Sequence, residues 1–211
     1  MSLSSLDKMI TRFDHALKAA SGTMHRAARP SPAQDIPESE LSPAERRHVA
    51  GLMRINHTGE VCAQALYSGQ ALTARASRVA GAMHQAAEEE NDHLAWCEER
   101  IAQLDSHVSY LNPFWYAASF VTGAIGGWLG DSVSLGFVAA TEEEVCHHLD
   151  THLEGLPADD EKSREILSQM RIDEAKHQAT AIESGGLRFP PMIKRLMRVT
   201  SRLMTRPTYW I

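Results

Sequence analysis

Thiols are scarce in this sequence. Its 211 residues hold three cysteines, Cys62, Cys97 and Cys146, an odd number with no Cys-x-x-Cys pair. That excludes a disulfide framework and an iron–sulfur ligand set, and predicts small buried fillers in a reducing compartment. No Gly-x-Gly-x-x-Gly follows a strand pattern, so no built-in dinucleotide site is expected. The first residues lack an apolar run and carry Asp7 and Lys8, so no secretory signal is expected. Acids are missing from residues 187–211, which hold Arg188, Lys194, Arg195, Arg198, Arg202 and Arg206. The overall net charge is −6, so the remainder carries −12 against a +6 tail. Such a tail predicts contact with anionic lipid or another acidic surface, and no nucleic-acid partner is expected. Charge is also missing between Ser106 and Gly130. That length would permit a membrane span. However, Pro113, Gly123, Gly126, Gly127 and Gly130 interrupt it, and Tyr110, Trp115, Tyr116 and Trp128 favour interfaces, so a buried or surface-dipping helix is expected.

What is present reads as one all-α domain, residues 43–211, preceded by an amphipathic segment and a Pro/Ser linker, residues 1–42. Hydrophobic residues make up 43% of the chain, enough for a substantial core. Leu6, Met9, Ile10, Phe13 and Leu17 share helical spacing, and four prolines from Pro30 to Pro43 mark the linker. A first core helix starts behind Ser42-Pro43 and runs to about Ala76, with Val49, Met53, Asn56, Glu60, Tyr67 and Ala71 on its inner face. A second spans about Arg78 to Ser106, with Glu88, Asp92 and Glu99 at its polar pole, and Asn112-Pro113 breaks the chain. Leu135, Val138, Glu142, Val145, Leu149 and Leu153 line a third. A fourth opens at Asp159-Asp160-Glu161, faces inward through Leu167, Met170, Glu174 and His177, and ends at Gly185-Gly186. Pro190-Pro191 launches a basic amphipathic tail helix.

Acids on apolar stripes organise the rest. A lone buried carboxylate costs several kcal/mol unless it is paired or bound to metal. Glu-x-x-His occurs four times, at Glu45/His48, Glu90/His93, Glu144/His147 and Glu174/His177, where composition alone gives about one. Glu144 and His147 point away from their stripe. Glu45 and His48 lie about 22 Å along the helix from Glu60, too far to share a site with it. Glu90/His93 and Glu174/His177 both face inward. Each is preceded by an inward Glu, Glu60 or Glu142, one helix earlier.

Two such hairpins make a four-helix bundle with six convergent ligands: Glu60, Glu90, His93, Glu142, Glu174 and His177. This is the ligand pattern of ferritin-like di-iron and di-manganese carboxylate proteins. Four carboxylates bring −4 and two divalent metals +4, so the loaded site is neutral. An oxygen-rich set with one imidazole per metal suits iron or manganese better than structural zinc. Glu90 and Glu174 are the expected bridging carboxylates, Glu60 and Glu142 the terminal ones. Asn56, His57 and Tyr67 flank Glu60 as candidate outer partners, and His148 or His152 could hydrogen-bond a ligand.

At these residues the chain resembles the demethoxyubiquinone hydroxylases of ubiquinone biosynthesis. The matching stretches are Arg54-Ile-Asn-His-Thr-Gly-Glu60 continuing through Leu66-Tyr67-Ser-Gly-Gln70, then Glu89-Glu90-Asn-Asp-His93-Leu94, Glu142 with His148, and Asp173-Glu174-Ala-Lys-His177. The resemblance spans about Pro43 to the C-terminus. It implies the same six metal ligands, two iron ions, and His148 as an outer histidine in the catalytic set with Glu60, Glu90, Glu142 and Glu174. Many relatives carry Tyr after that histidine; this chain has Leu149. The implied activity is a monooxygenase that adds one oxygen atom from dioxygen to a polyprenyl methoxy-benzoquinol, with an external electron donor.

A prenylated substrate and the basic tail together predict a peripheral membrane protein on the cytoplasmic face of the cell membrane. A homo-oligomer or a ubiquinone-biosynthesis complex stays open. Rival readings are a ferritin-like ferroxidase or iron-storage protein, a manganese catalase, and a purely structural bundle.

Overall fold

The computed structural model describes residues 27–211; the helical pattern predicted at residues 3–20 lies outside the described residues. Six helices follow one another: α1 (Pro43–Thr73), α2 (Ser77–Gln103), α3 (Asn112–Leu129), α4 (Asp131–Gly155), α5 (Glu161–Glu183) and α6 (Pro191–Thr208). No strand occurs among the described residues. The arrangement is the expected ferritin-like helical bundle with extra helices.

Local chemistry sets the boundaries. Ser42 caps α1: its hydroxyl accepts from the Glu45 amide (3.3 Å) while the Glu45 carboxylate accepts from the Ser42 amide (2.9 Å). Pro43 fits the first turn, where its missing N–H costs nothing. Asp160 caps α5 through the Ser163 amide (3.1 Å). That helix ends where Gly185 adopts φ +101°, so that the Gly186 amide reaches Ala181 O (3.1 Å) and the Gly185 amide Ile182 O (3.0 Å).

α1 and α2 form one antiparallel hairpin, α4 and α5 the other, and α3 crosses between them. Two apolar layers fill the bundle. One gathers Val49, Met53, Trp96, Leu149, Leu167 and Met170; the other gathers Tyr67, Val79, Met83, Leu135, Val138 and Ala181. Glu60, Glu90, Glu142 and Glu174 each fall between the two layers along their own helix, so the acids are sealed at both ends.

The expected break falls at residues 104–111, and Asn112-Pro113 opens α3, where proline is tolerated in the first turn. The glycines of α3 are contacts and not interruptions. α3 lies so close to α1 that a Cβ at Gly123 would strike the Leu66 carbonyl, and one at Gly69 the Phe120 carbonyl. α3 is helical throughout, yet no helix among the described residues is long and apolar enough to cross a membrane. Its outer side leaves Phe114, Val121, Ile125, Trp128 and Leu129 exposed.

α6 lies beside α3 over α1: Cys62 of α1 meets Met204 of α6 (Sγ to Sδ 3.5 Å) and Ser119 of α3. Its basic side is tied to α4 by Lys194–Glu143 (2.5 Å) and Arg198–Glu144 (3.8 Å), while Met192, Leu196, Val199 and Leu203 face outward. The C-terminus is anchored, with Tyr209 O accepting from Arg54 (2.6 Å) and Ile211 O from Ser109 (2.6 Å).

The stretch from Pro30 to Pro43 packs as part of the body. Ala33 is buried, Ile36 and Leu41 pack on the core, and Glu38 pairs with the buried Arg100 (2.8 Å). Arg100 also pairs with buried Asp160 (2.9 Å) and donates to Ser163 (2.8 Å).

Candidate metal centre

Glu60 on α1, Glu90 and His93 on α2, and Glu174 on α5 converge until one ligand atom from each lies within 4.8 Å of all the others. All four are buried. His93 Nδ1 stands 3.0 Å from Glu90, 3.0 Å from Glu174 and 3.7 Å from Glu60. His177 of α5 joins from the other hairpin, its Nδ1 3.2 Å from Glu174 and 3.4 Å from Glu90. Glu142 of α4 is buried beside Glu174 and accepts the Tyr67 hydroxyl. The six side chains anticipated as ligands thus form one contiguous group.

Both imidazoles turn Nδ1 toward the carboxylates and Nε2 away. His93 Nε2 donates to Asp173 (3.0 Å) and His177 Nε2 to Glu89 (2.8 Å), each across to the opposite hairpin. A carboxylate behind an imidazole fixes the tautomer that leaves the inner nitrogen free to bind metal. Glu90 Oε1, Glu142 Oε2 and Glu174 Oε1 are buried without an aligned hydrogen-bond donor. Inward lone pairs with no donor are what hard cations use.

Protonation makes the same point. Burial, then the Glu90 charge, pushes Glu60 well above the usual carboxylate range. Burial, then Glu174 and Glu90, does the same to Glu142. Burial opposes charge on His93, but bonds to Asp173, Glu174, Glu60 and Glu90 outweigh it and raise the imidazole. His177 is pushed up to about 12: bonds to Glu174 and Glu90 override burial there too. Burial raises Glu90 as well, but bonds from His177 and His93 prevail and hold it low. The metal-free site therefore favours protons at Glu60, Glu142, His93 and His177. A buried carboxylate cluster that takes up protons is one that lacks positive charge, and divalent cations would supply it, so the residues present fit a metal pair.

His148 is not brought to this group. Six residues past Glu142, it is turned about 240° around α4, where it lies 3.6 Å from Glu144 on a half-buried flank. His152 is the buried histidine of that helix; it donates to Asn56 (2.8 Å), and burial holds it down to about 4. His57 pairs with Glu98 (3.2 Å) and meets Asn112 (3.3 Å), so it pins the start of α3. Of the three flanking residues, Tyr67 donates its hydroxyl to the candidate ligand Glu142.

Helical periodicity missed three neighbours. Asp173 and Glu89 act across the hairpins, which a single wheel does not show. Arg29 lies just before the stretch read as linker and reaches Asp92 (2.6 Å) and Asp173 (2.9 Å). Asp92, placed at a polar pole by its wheel position, is buried because residues 27–33 fold over that pole.

A family model described as "Ubiquinone biosynthesis protein COQ7" matches residues 47–208. The chain belongs to this family. It is 59% identical over 208 residues to a 3-demethoxyubiquinol 3-hydroxylase of Azotobacter vinelandii, covering 99% of this chain and 97% of that protein. Relatives with the same name in Stutzerimonas stutzeri and Pseudomonas fluorescens are 60% and 58% identical over the same shares. All six candidate ligands lie inside the residues that the family model matches; Arg29 lies before them.

Proposed function

We propose that this chain is a 3-demethoxyubiquinol 3-hydroxylase: a di-iron monooxygenase that hydroxylates a polyprenyl benzoquinol ring with dioxygen in ubiquinone biosynthesis. The observation that carries the reading is the buried carboxylate cluster with both Nδ1 atoms turned inward, in a chain whose near-full-length relatives bear that name. Iron is favoured over zinc because the donor set is four carboxylates and two imidazoles without thiolate, and because ring hydroxylation needs a redox-active centre. Bound iron supplies the reduction of dioxygen, which no side chain can perform.

The chain's own residues supply the setting. Glu60, Glu90, His93, Glu142, Glu174 and His177 would hold the metal pair. Asp173 and Glu89 fix the two rings, and Tyr67 donates to Glu142 and holds its carboxylate in place. The apolar layers on either side exclude water. One dioxygen atom enters the ring and the other leaves as water, so two electrons must come from an external reductant.

The substrate's isoprenoid tail partitions into lipid, and we place the enzyme peripherally on the cytoplasmic face of the cell membrane. Exposed apolar residues of α3 and α6, with the arginines of α6, support this docking side. An iron-storage shell would gain nothing from so apolar an exterior. Quinones extracted from cells lacking the protein are expected to include one short of a methoxy group, with recovery by the wild type and not by Glu90→Ala. Normal ubiquinone in those cells would contradict the reading. Vesicle flotation with anionic lipid tests docking: Leu196→Glu with Leu203→Glu is expected to stay unbound, and full binding would refute it.

A further inference from the structure

The two halves of the site are near-copies outside the ligands as well as within them. On α5, Asp173 accepts from His93 of the other hairpin and from Gln169 one turn earlier (3.1 Å). On α2, Glu89 accepts from His177 of the other hairpin and from Gln85 one turn earlier (2.9 Å). Each imidazole therefore has an outer carboxylate, and each carboxylate a neutral amide four residues back. Arg29 breaks the match. It has no counterpart beside Glu89 in any ion pair found among the described residues.

Arg29 is itself held from several sides. Its Nε donates to Asp92 (2.6 Å) and an Nη to Asp173 (2.9 Å), bridging α2 to α5. The guanidinium carbon lies 4.8 Å from the centre of the Trp96 ring, and the Trp96 indole N–H approaches the Arg29 carbonyl (3.4 Å). The Ala28 amide donates to the buried Asp92 (2.6 Å). A planar cation bridging two carboxylates is far more restrictive than a single hydrogen bond. Asp173 is consequently 16% exposed, whereas Glu89 is 44% exposed and bears no such clamp.

We propose that Arg29 is a positioning residue that makes the two metal positions unequal, clamping Asp173 behind His93 so that metal binds more tightly at His93 than at His177. This rests on the metal-centre reading above. An imidazole whose outer carboxylate is fixed loses less freedom on ligation, and outer partners of this kind change metal affinity by about 10- to 100-fold. The His177 position, backed by an exposed carboxylate, exchanges with solvent first.

The test is competitive titration of the full metal-free chain with cobalt(II), followed by its visible absorption. Wild type is expected to show two binding constants. Arg29→Met should weaken the tighter one about 10-fold or more and leave the looser one in place, with unchanged helical circular dichroism. Arg29→Lys, which keeps a cation beside Asp173, should recover part of the loss, and Glu89→Ala should weaken only the looser constant. Two-metal uptake that Arg29→Met leaves unchanged, or weakens equally at both positions, overturns the proposal alone. So does an Arg29→Lys chain as weak as Arg29→Met. A wild-type chain that takes up no metal overturns the metal-centre reading and the proposal with it.

Discussion

Replacing Glu60 by Gln is expected to stabilise the metal-free protein while destroying two-metal uptake. Glu60 is 3% exposed, and burial together with the Glu90 charge pushes its carboxyl well above the ordinary 4.5. A folded value raised above the unfolded one contributes stability that is complete below about pH 4.5 and lost as pH rises through the folded value. At pH 8 the wild type must therefore bury an anion among carboxylates or hold a proton against solvent. Gln keeps the shape and needs neither. Relief of an imperfectly paired buried group is worth about 2 kcal/mol, which for a chain of this size raises the melting temperature by about 4–8 °C. The assay is thermal unfolding of chelator-treated protein, followed by circular dichroism at pH 8 and pH 5. The gain should be large at pH 8 and shrink at pH 5, close to the pH below which the penalty on the wild type is absent. Equal destabilisation at both pH values would refute the reasoning.

Three further outcomes follow from packing and burial. Arg100→Met leaves Asp160 buried without its cation, so urea unfolding should report a loss of about 3–5 kcal/mol. Gly123→Ala forces α3 away from the Leu66 carbonyl and should cost about 1–3 kcal/mol in the same assay. His152 sits at about 4 in the fold against 6.5 unfolded, because burial disfavours its charge. Its contribution is present above about pH 6.5 and disappears as pH falls through about 4, up to roughly 3 kcal/mol. His152→Gln should flatten that acid limb in a pH series of melting temperatures.

Much of the site was legible because burial on a helix leaves a period. Glu60, Glu90, Glu142 and Glu174 stood out as acids where apolar residues belong, and the similar spacing within the two hairpins, 30 residues and 32, brought them to one level. The first turns of α1 and α5 were legible from Ser42-Pro43 and Asp160 for the same local reason. What escaped is whatever depends on a second element. Asp92 is polar by its own wheel position and buried only because residues 27–33 cross over it. The glycines of α3 look like breakers until Leu66 and Thr73 of α1 fill the space beside Gly123 and Gly127. His148 stood beside His152 on the flank of its helix and was favoured by resemblance, yet its angle on α4 takes it away from the four clustered glutamates and toward Glu144. Asp173 and Glu89 sit one residue before motif glutamates, and only the antiparallel pairing of hairpins reveals which imidazole each one holds.

Five buried side chains and the half-buried His177 are proposed to hold a pair of iron ions. Anomalous diffraction at the iron edge, from crystals of the full chain loaded without oxygen, tests this most directly. Two peaks enclosed by Glu60, Glu90, His93, Glu142, Glu174 and His177 are expected, each beside one imidazole Nδ1. Iron found elsewhere, or a well-ordered cluster that stays without peaks under saturating iron, would contradict the proposal.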